Sequence, residues 1–188
     1  MDERRRVIGE GAQVAHTIEP QHWLADAERR LPGNPPWPAQ LRVVATDAAS
    51  GKLAVLHLDD EVPLATAIAA ARAIPYLLPP IPAGGRVLMD AALGSATHAA
   101  LLDADSLDLV IVVSAARSPA MGGPIDAEWA SSAQAEVAQL RAAGVEVLLI
   151  SADDDASESM GDELLLCGDL RRSVSLGRRA ATTAVDTT

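Results

Sequence analysis

The chain has no phenylalanine and one tyrosine among 188 residues, so few aromatic rings are available for its interior. Its core must be built from Ala, Leu, Val and Ile, with Trp23, Trp37 and Trp129 as the large side chains. The single cysteine, Cys167, excludes an internal disulfide and a cysteine-rich metal site. No uninterrupted run of 18 apolar residues occurs, which excludes an obvious membrane-spanning segment.

Positive charge is scarce relative to negative charge. The chain has 15 Lys and Arg against 26 Asp and Glu, a formal net charge of −11. This balance argues against nucleic-acid binding and against docking on anionic lipid by charge alone. With 49% hydrophobic and 22% charged residues, the composition favours a packed domain. The basic N-terminus precedes no apolar stretch, so we expect no signal peptide and a cytoplasmic location, with peripheral membrane contact left open.

Apolar patterning predicts an α/β fold with a mainly parallel sheet. The runs 108–115 and 145–151 are continuously apolar, which is typical of strands buried on both faces. Residues 41–47 and 52–58 predict an additional antiparallel pair. The proline-rich stretch 76–85 predicts an apolar loop without regular structure. Helices are predicted over 2–30, 62–73 and 126–143, with one or two more closing the chain.

Metal and phosphate chemistry find little support in the sequence. The four histidines, His16, His22, His57 and His98, have no paired spacing. The acidic stretch 153–163 lacks the glycine and terminal glutamate of a calcium loop, and we expect it to be a solvated loop that caps the next helix. No glycine pair lies in a dinucleotide or P-loop motif, so we expect no metal and no cofactor.

Asp90 is the residue that points to chemistry. It ends the short apolar strand 86–89, and small residues and a turn follow it. A carboxylate at the end of a strand in an α/β sheet lies where such folds bind ligands, and could act as a general base. The alternative is that Asp90 closes the turn or caps the helix near Thr97. No G-x-S-x-G motif supplies a nucleophile, and Ser95 belongs to the same turn.

Three stretches in order resemble the patatin-like phospholipase family: "LRVVATDAASGKLAV", "AIAAARAIPYLLPPIPAGGRVLMDAALGSATHA" and "LDLVIVVSAA". The resemblance covers roughly residues 1–170. It implies a three-layer α/β/α fold and acyl-ester hydrolysis by a Ser–Asp dyad. The base would be Asp90, from the family's D-G-G/A motif. The apolar loop containing Tyr76, Leu77 and Leu78 would form part of an acyl-binding wall, with plain core packing as the alternative.

The sequence departs from the family pattern at several points. Ala91 replaces the first glycine of the motif, Ala71 replaces the helix-end serine, and His98 replaces an asparagine. The half that would carry the Gly-rich loop and the nucleophile elbow is missing. We therefore expect a chain that is inactive alone, with the alternative of a non-catalytic pseudoenzyme or interaction subunit.

The expected organisation is one partial patatin-like domain over 1–188. It comprises a helical lead-in at 1–30, a family-like core at 41–170 and a small-residue tail at 180–188. Open strand edges and uncovered apolar faces predict a homo-oligomer or a partner chain that supplies the nucleophile half. A lipid or another acyl ester is the expected ligand.

Overall fold

The computed structural model describes residues 1–31, 33, 35–114, 116, 123–160 and 170–186. The chain divides into two compact units, Met1–Leu93 and Gly94–Thr188. Together they form a mixed α/β structure with two sheets, in agreement with the predicted α/β class.

The first unit contains a four-stranded sheet in the order β2-β1-β4-β3. Every neighbouring pair in it is antiparallel. The predicted pairing of the first two strands is confirmed, but the prediction of a mainly parallel sheet is wrong for the larger sheet. Short hairpins join β1 to β2 and β3 to β4, and such connections force antiparallel neighbours. The strands are Val43–Asp47 (β1), Leu53–Leu56 (β2), Ile81–Ala83 (β3) and Arg86–Asp90 (β4).

Strand β3 lies within the proline-rich stretch that we expected to be irregular, so that expectation is wrong there. Pro82 has no backbone N–H to donate, and an edge strand tolerates this. The connection to β4 is the two-residue turn Gly84–Gly85, with φ values of 56° and 71°. Positive φ at both positions matches the hairpin turn that suits the strand twist, and glycine adopts it without strain.

Helix α3 (Leu64–Ala71) covers one face of this sheet with small side chains. Two tryptophans fix the surrounding segments: the Trp23 indole N–H donates to the Ala69 carbonyl at 2.9 Å, and that of Trp37 to the Val62 carbonyl at 2.7 Å. Trp23 belongs to α2 (Pro20–Arg30), which begins at a proline in its first turn.

Helix α1 (Asp2–Val14) packs against β1. Its Ala12 shares a buried cluster with Ala48 and Met89. Arg6 forms ion pairs with Glu3 and Glu10 along the exposed side of the helix. The hydrogen bond and charge of Glu3, together with the charge of Glu10, raise the pKa of Arg6, and the Arg6 guanidinium in turn lowers the pKa of Glu3. Helices α1 and α2 together confirm the prediction of a helical region over 2–30.

The second unit is built on a parallel pair, β5 (Leu109–Ser114) and β6 (Glu146–Ser151), joined through α4 (Pro124–Ala142). Val110 and Val112 of β5 face the core that α4 covers. The prediction that β5 is buried on both faces is wrong, because burial alternates along it. Because the strand is uniformly apolar, its sequence does not distinguish burial on one face from burial on both faces.

Two further helices complete the second unit, α5 (Asp154–Met160) and α6 (Leu170–Asp186). Helix α6 lies against α5 and β6. Residues 180–186, expected as a tail, continue α6. No helix in the described parts of the chain combines the length and apolar character needed to cross a bilayer.

Candidate active site at the end of strand β4

Asp90 is the last residue of β4 and is held through its backbone on two sides. It pairs with Ala45 of β1, and its N–H donates to the carbonyl of Ala73 at 3.0 Å. Ala73 follows α3 and is fully buried. The backbone that carries the Asp90 side chain is therefore rigid. Asp90 lies at the end of the strand, as the sequence predicts.

The half-buried Asp90 side chain closes the turn that follows the strand. Its Oδ1 accepts a 2.7 Å hydrogen bond from the N–H of Ala92. This contact fixes the orientation of the carboxyl group. It is also the geometry expected if Asp90 closes the turn, the alternative to a role as general base. Ala91 is buried, and neither Ala91 nor Ala92 has a positive φ. The replacement of glycine in this motif thus introduces no left-handed strain.

The apolar loop reaches the same end of β4. Tyr76 lies three residues after Ala73, the partner of the Asp90 N–H. The N–H groups of Leu77 and Leu78 both donate to the Ile74 carbonyl, which folds the loop into a compact turn. Tyr76 and Leu77 are exposed and Leu78 is half-buried. The loop that leaves the backbone partner of Asp90 therefore exposes Tyr76 and Leu77.

Tyr76 combines an exposed ring with a strained backbone. Its φ is 66°, a region that residues with a Cβ rarely occupy. Its hydroxyl packs against Gly11 of α1, where a Cβ on the glycine would come within 2.5 Å of it. Met89, one residue before Asp90, packs against the adjacent Ala12. Helix α1 thus connects Tyr76 and the end of β4.

Sequence reading missed Arg5, which is 93% buried although it carries a charge. Its Nε donates to the carbonyl of Leu93 at 2.8 Å, and its Nη1 pairs with Asp2 at 3.3 Å. Arg5 therefore ties α1 to the segment that follows the Asp90 turn. The first turns of α1 are rich in charged residues, and nothing in the sequence pattern indicates that one of these arginines is buried.

The serines nearest to Asp90 in the sequence and those that follow the strands have local structural roles in the described parts of the chain. Ser95 is 5% exposed, and its hydroxyl accepts the N–H groups of Thr97 at 3.1 Å and His98 at 2.9 Å. Ser95 therefore closes a turn of its own over Thr97 and His98, whereas the Asp90 turn closes on Ala92. Ser50 lies in the β1–β2 turn and Ser106 bonds its own local backbone. Ser114 is buried at the end of β5, and Ser118 lies outside the described residues.

Glu136 of α4 holds the segment after Ser95 in the second unit. Its Oε2 accepts the Thr97 hydroxyl at 2.6 Å and the Ala99 N–H at 2.8 Å. Between these contacts, His98 takes a left-handed conformation with φ 50°. The sequence gives no signal for this network, since Thr97 and Glu136 are 39 positions apart.

Two other sets of polar side chains, around His57 and at Asp153, stabilise local structure. His57 and Asp60 form a reciprocal cap around the 3₁₀ turn Leu58–Asp60. Asp153 accepts the Ala156 N–H at 2.8 Å, which confirms that the start of the acidic stretch caps a helix. The expectation of a loop is wrong for Asp154–Met160, which form helix α5 itself, and residues 161–163 lie outside the described parts. Among the described residues, no three His, Cys, Asp or Glu side chains are grouped to hold a metal.

Comparison with known proteins adds no relative: no protein-family model matches the chain, and no curated protein matches it. The candidate site therefore rests on the geometry of Asp90 and its neighbours.

Proposed function

We propose that this chain carries the general base of a patatin-like acyl-ester hydrolase, with Asp90 as that base and the serine on another polypeptide. The observation that supports this most directly is that the Ala92 N–H holds the Asp90 carboxylate at the end of a strand, whose backbone is bonded to Ala73, three residues before the exposed Tyr76. A base needs such a fixed position relative to its proton donor. The apolar side chains suit the acyl chain of an ester substrate.

The chemistry follows the roles of a Ser–Asp dyad. Asp90 accepts the proton of the incoming serine as its oxygen attacks the ester carbonyl. Asp90 returns that proton to the departing alkoxide, so that the alcohol leaves and the acyl-serine remains. Asp90 then accepts a proton from the water that attacks the acyl-serine, and passes it to the serine oxygen as the carboxylic acid is released. The Ala92 N–H keeps the carboxylate oriented through both steps. Tyr76, Leu77 and Leu78 form the acyl-binding wall in this proposal.

A second candidate function is a non-catalytic interaction subunit that keeps the same fold. The observation that favours it is the Asp90–Ala92 hydrogen bond, because a carboxylate that closes a turn has a structural use without catalysis. The two functions differ in what happens when the charge of Asp90 is removed.

Asp47 offers a matched control for that change. It also ends a strand, and its Oδ1 accepts backbone N–H groups, from Ala49 at 2.9 Å and Ser50 at 3.0 Å. Asp47 lies opposite Leu88, at the other end of the β1–β4 pairing from Asp90, so Asp47→Asn alters a second turn-closing carboxylate. Asp90→Asn changes the same chemistry at the proposed base.

The test is hydrolysis of p-nitrophenyl butyrate and octanoate by the purified chain, alone and mixed with a polypeptide carrying G-x-S-x-G from a patatin-like enzyme. We expect hydrolysis in the mixture only, lost with Asp90→Asn and kept with Asp47→Asn. Hydrolysis that survives Asp90→Asn would contradict the catalytic proposal. A folded, inactive mixture would favour the interaction subunit.

A further inference from the structure

Strand β5 exposes a row of large apolar side chains. Leu109, Ile111 and Val113 are 50%, 57% and 69% exposed, while Val110 and Val112 between them are buried under α4. In the parallel register, Ile111 lies beside Leu148 and Val113 beside Ile150 of β6, both half-buried. One face of this two-stranded sheet is therefore apolar and open next to β5.

The strand also has an open edge. Strand β6 is the only described strand that pairs with β5, so the opposite edge of β5 has no strand partner in the described parts of the chain. Residues 109–114 contain no charge and no proline, the devices that normally protect an edge from other strands. A neutral, β-branched edge favours the addition of another strand.

We infer that this edge is a homodimer interface, in which β5 pairs antiparallel with β5 of a second copy, centred on Ile111. In this register Ile111 faces Ile111, Leu109 faces Val113, and Val110 faces Val112. Directly opposed apolar pairs of this kind stabilise antiparallel strands. The arrangement is two-fold symmetric, so one surface serves both partners.

Charge does not oppose a second copy at this edge, although the net charge of the chain is −11. Asp108 precedes the strand, and in this register it lies opposite the uncharged Ser114 of the second copy. No acidic residue of one strand therefore opposes an acidic residue of the other. Two acidic chains can meet along this neutral strand without placing like charges in contact.

The interface is independent of the proposed chemistry at Asp90. A catalytic failure of Asp90 would leave the strand pairing unaffected, and a monomeric chain would leave the dyad proposal unaffected. The two are tested by different measurements, ester hydrolysis and sedimentation.

Sedimentation velocity over a concentration series tests the dimer. We expect a reversible dimer for the wild-type chain and, for Ile111→Lys, a dissociation constant raised at least about tenfold, because two lysines then meet at the two-fold axis. Val174→Lys is the control, since Val174 is 50% exposed on α6 of the same unit. It should dimerise like the wild type.

Mixing Ile111→Lys with Ile111→Glu tests the register. Each variant alone should be monomeric, and the mixture should form heterodimers because the axis then joins opposite charges. Ile111→Thr keeps a β-branched side chain, so it tests the same contact with less perturbation of folding, and it should weaken the dimer. A mixture of folded Lys and Glu variants that stays monomeric would overturn the Ile111-centred register.

Hydrogen exchange distinguishes edge pairing from packing of the exposed faces. Edge pairing adds backbone hydrogen bonds, so amides in 109–114 should exchange more slowly in the wild-type dimer than in Ile111→Lys. A monomer at all concentrations would overturn the interface. A dimer without added protection in 109–114 would overturn strand pairing.

Discussion

Gly9 of α1 lies directly against the backbone of Ala48. A Cβ on Gly9 would fall 2.7 Å from the Ala48 Cα and 2.8 Å from its carbonyl carbon. The helix approaches the β1–β2 turn this closely because glycine has no side chain. The contact helps to place Ala12 on Met89, next to the Asp90 strand end.

Gly9→Ala should destabilise the first unit by about 1–3 kcal/mol, because backbone atoms block the new methyl group and α1 must shift. Gly177→Ala is the matched control, since Gly177 is also helical and a Cβ there meets nothing within 4 Å. Alanine should stabilise α6 by roughly 0.5–1 kcal/mol. Urea unfolding followed by circular dichroism gives both values. Equal effects of the two substitutions would contradict the close contact.

Thr46→Val and Thr97→Val should have opposite effects on the free energy of unfolding. The Thr46 hydroxyl is fully buried and has no hydrogen-bond partner in the described parts of the chain, so valine should leave stability unchanged or raise it by up to about 1 kcal/mol. Thr97 donates to the Glu136 carboxylate, and its loss should cost about 1.5–3 kcal/mol.

Chemical denaturation of both variants under one set of conditions measures this difference. Both substitutions replace a hydroxyl group with a methyl group, so the side-chain volume changes by the same amount. A clear loss of stability in Thr46→Val would show that its hydroxyl has a partner.

Acidification should release the ion pairs between α5 and α6. Asp153 accepts the Ala156 N–H and lies 3.0 Å from Arg179, and both contacts lower the pKa of Asp153. Arg179 also contacts Asp155 at 2.8 Å, and these acids raise its pKa. The pKa of the Asp153 carboxyl is depressed in the folded state. The contacts of the ionised carboxylate therefore stabilise the fold above the unfolded pKa of 3.8, and this stabilisation is lost as the pH falls through the folded pKa.

Arg179→Gln should therefore lower the melting temperature slightly at pH 7, and the difference from wild type should shrink as the pH falls below 3.8. The effect is small because these groups are exposed to solvent. Arg178→Gln is the control, since no ion pair of Arg178 occurs among the described residues. A pH-independent difference would show that Arg179 acts through packing instead.

The sequence predicted features that depend on local signals. The strand ending at Asp90 was predictable because a short apolar run stops at a carboxylate and small residues follow. The helices were predictable from their spacing, and α4 ends close to its glycine, Gly144, whose φ is 91°. Strand β3 was missed because the prolines predicted an irregular loop, and the Gly84–Gly85 turn was not used as a hairpin signal.

Features that depend on distant contacts were not predictable. The open face of β5 has no sequence signal, because Leu109 to Val113 are apolar whether they face α4 or solvent. The burial of Arg5 depends on Leu93, which is 88 positions away. At the candidate site, the position of Asp90 followed from the sequence, whereas its bond to Ala92 and the link from Ala73 required the fold.

The placement of the tryptophans gives each unit its own optical reporter. Trp23 and Trp37 are fixed by hydrogen bonds in the first unit, and the half-buried Trp129 lies on α4 in the second. With Trp129 replaced, fluorescence follows the first unit alone, and with Trp23 and Trp37 replaced it follows the second. Coincident transitions would mean that the chain melts cooperatively as one body, and separate transitions that each unit melts independently.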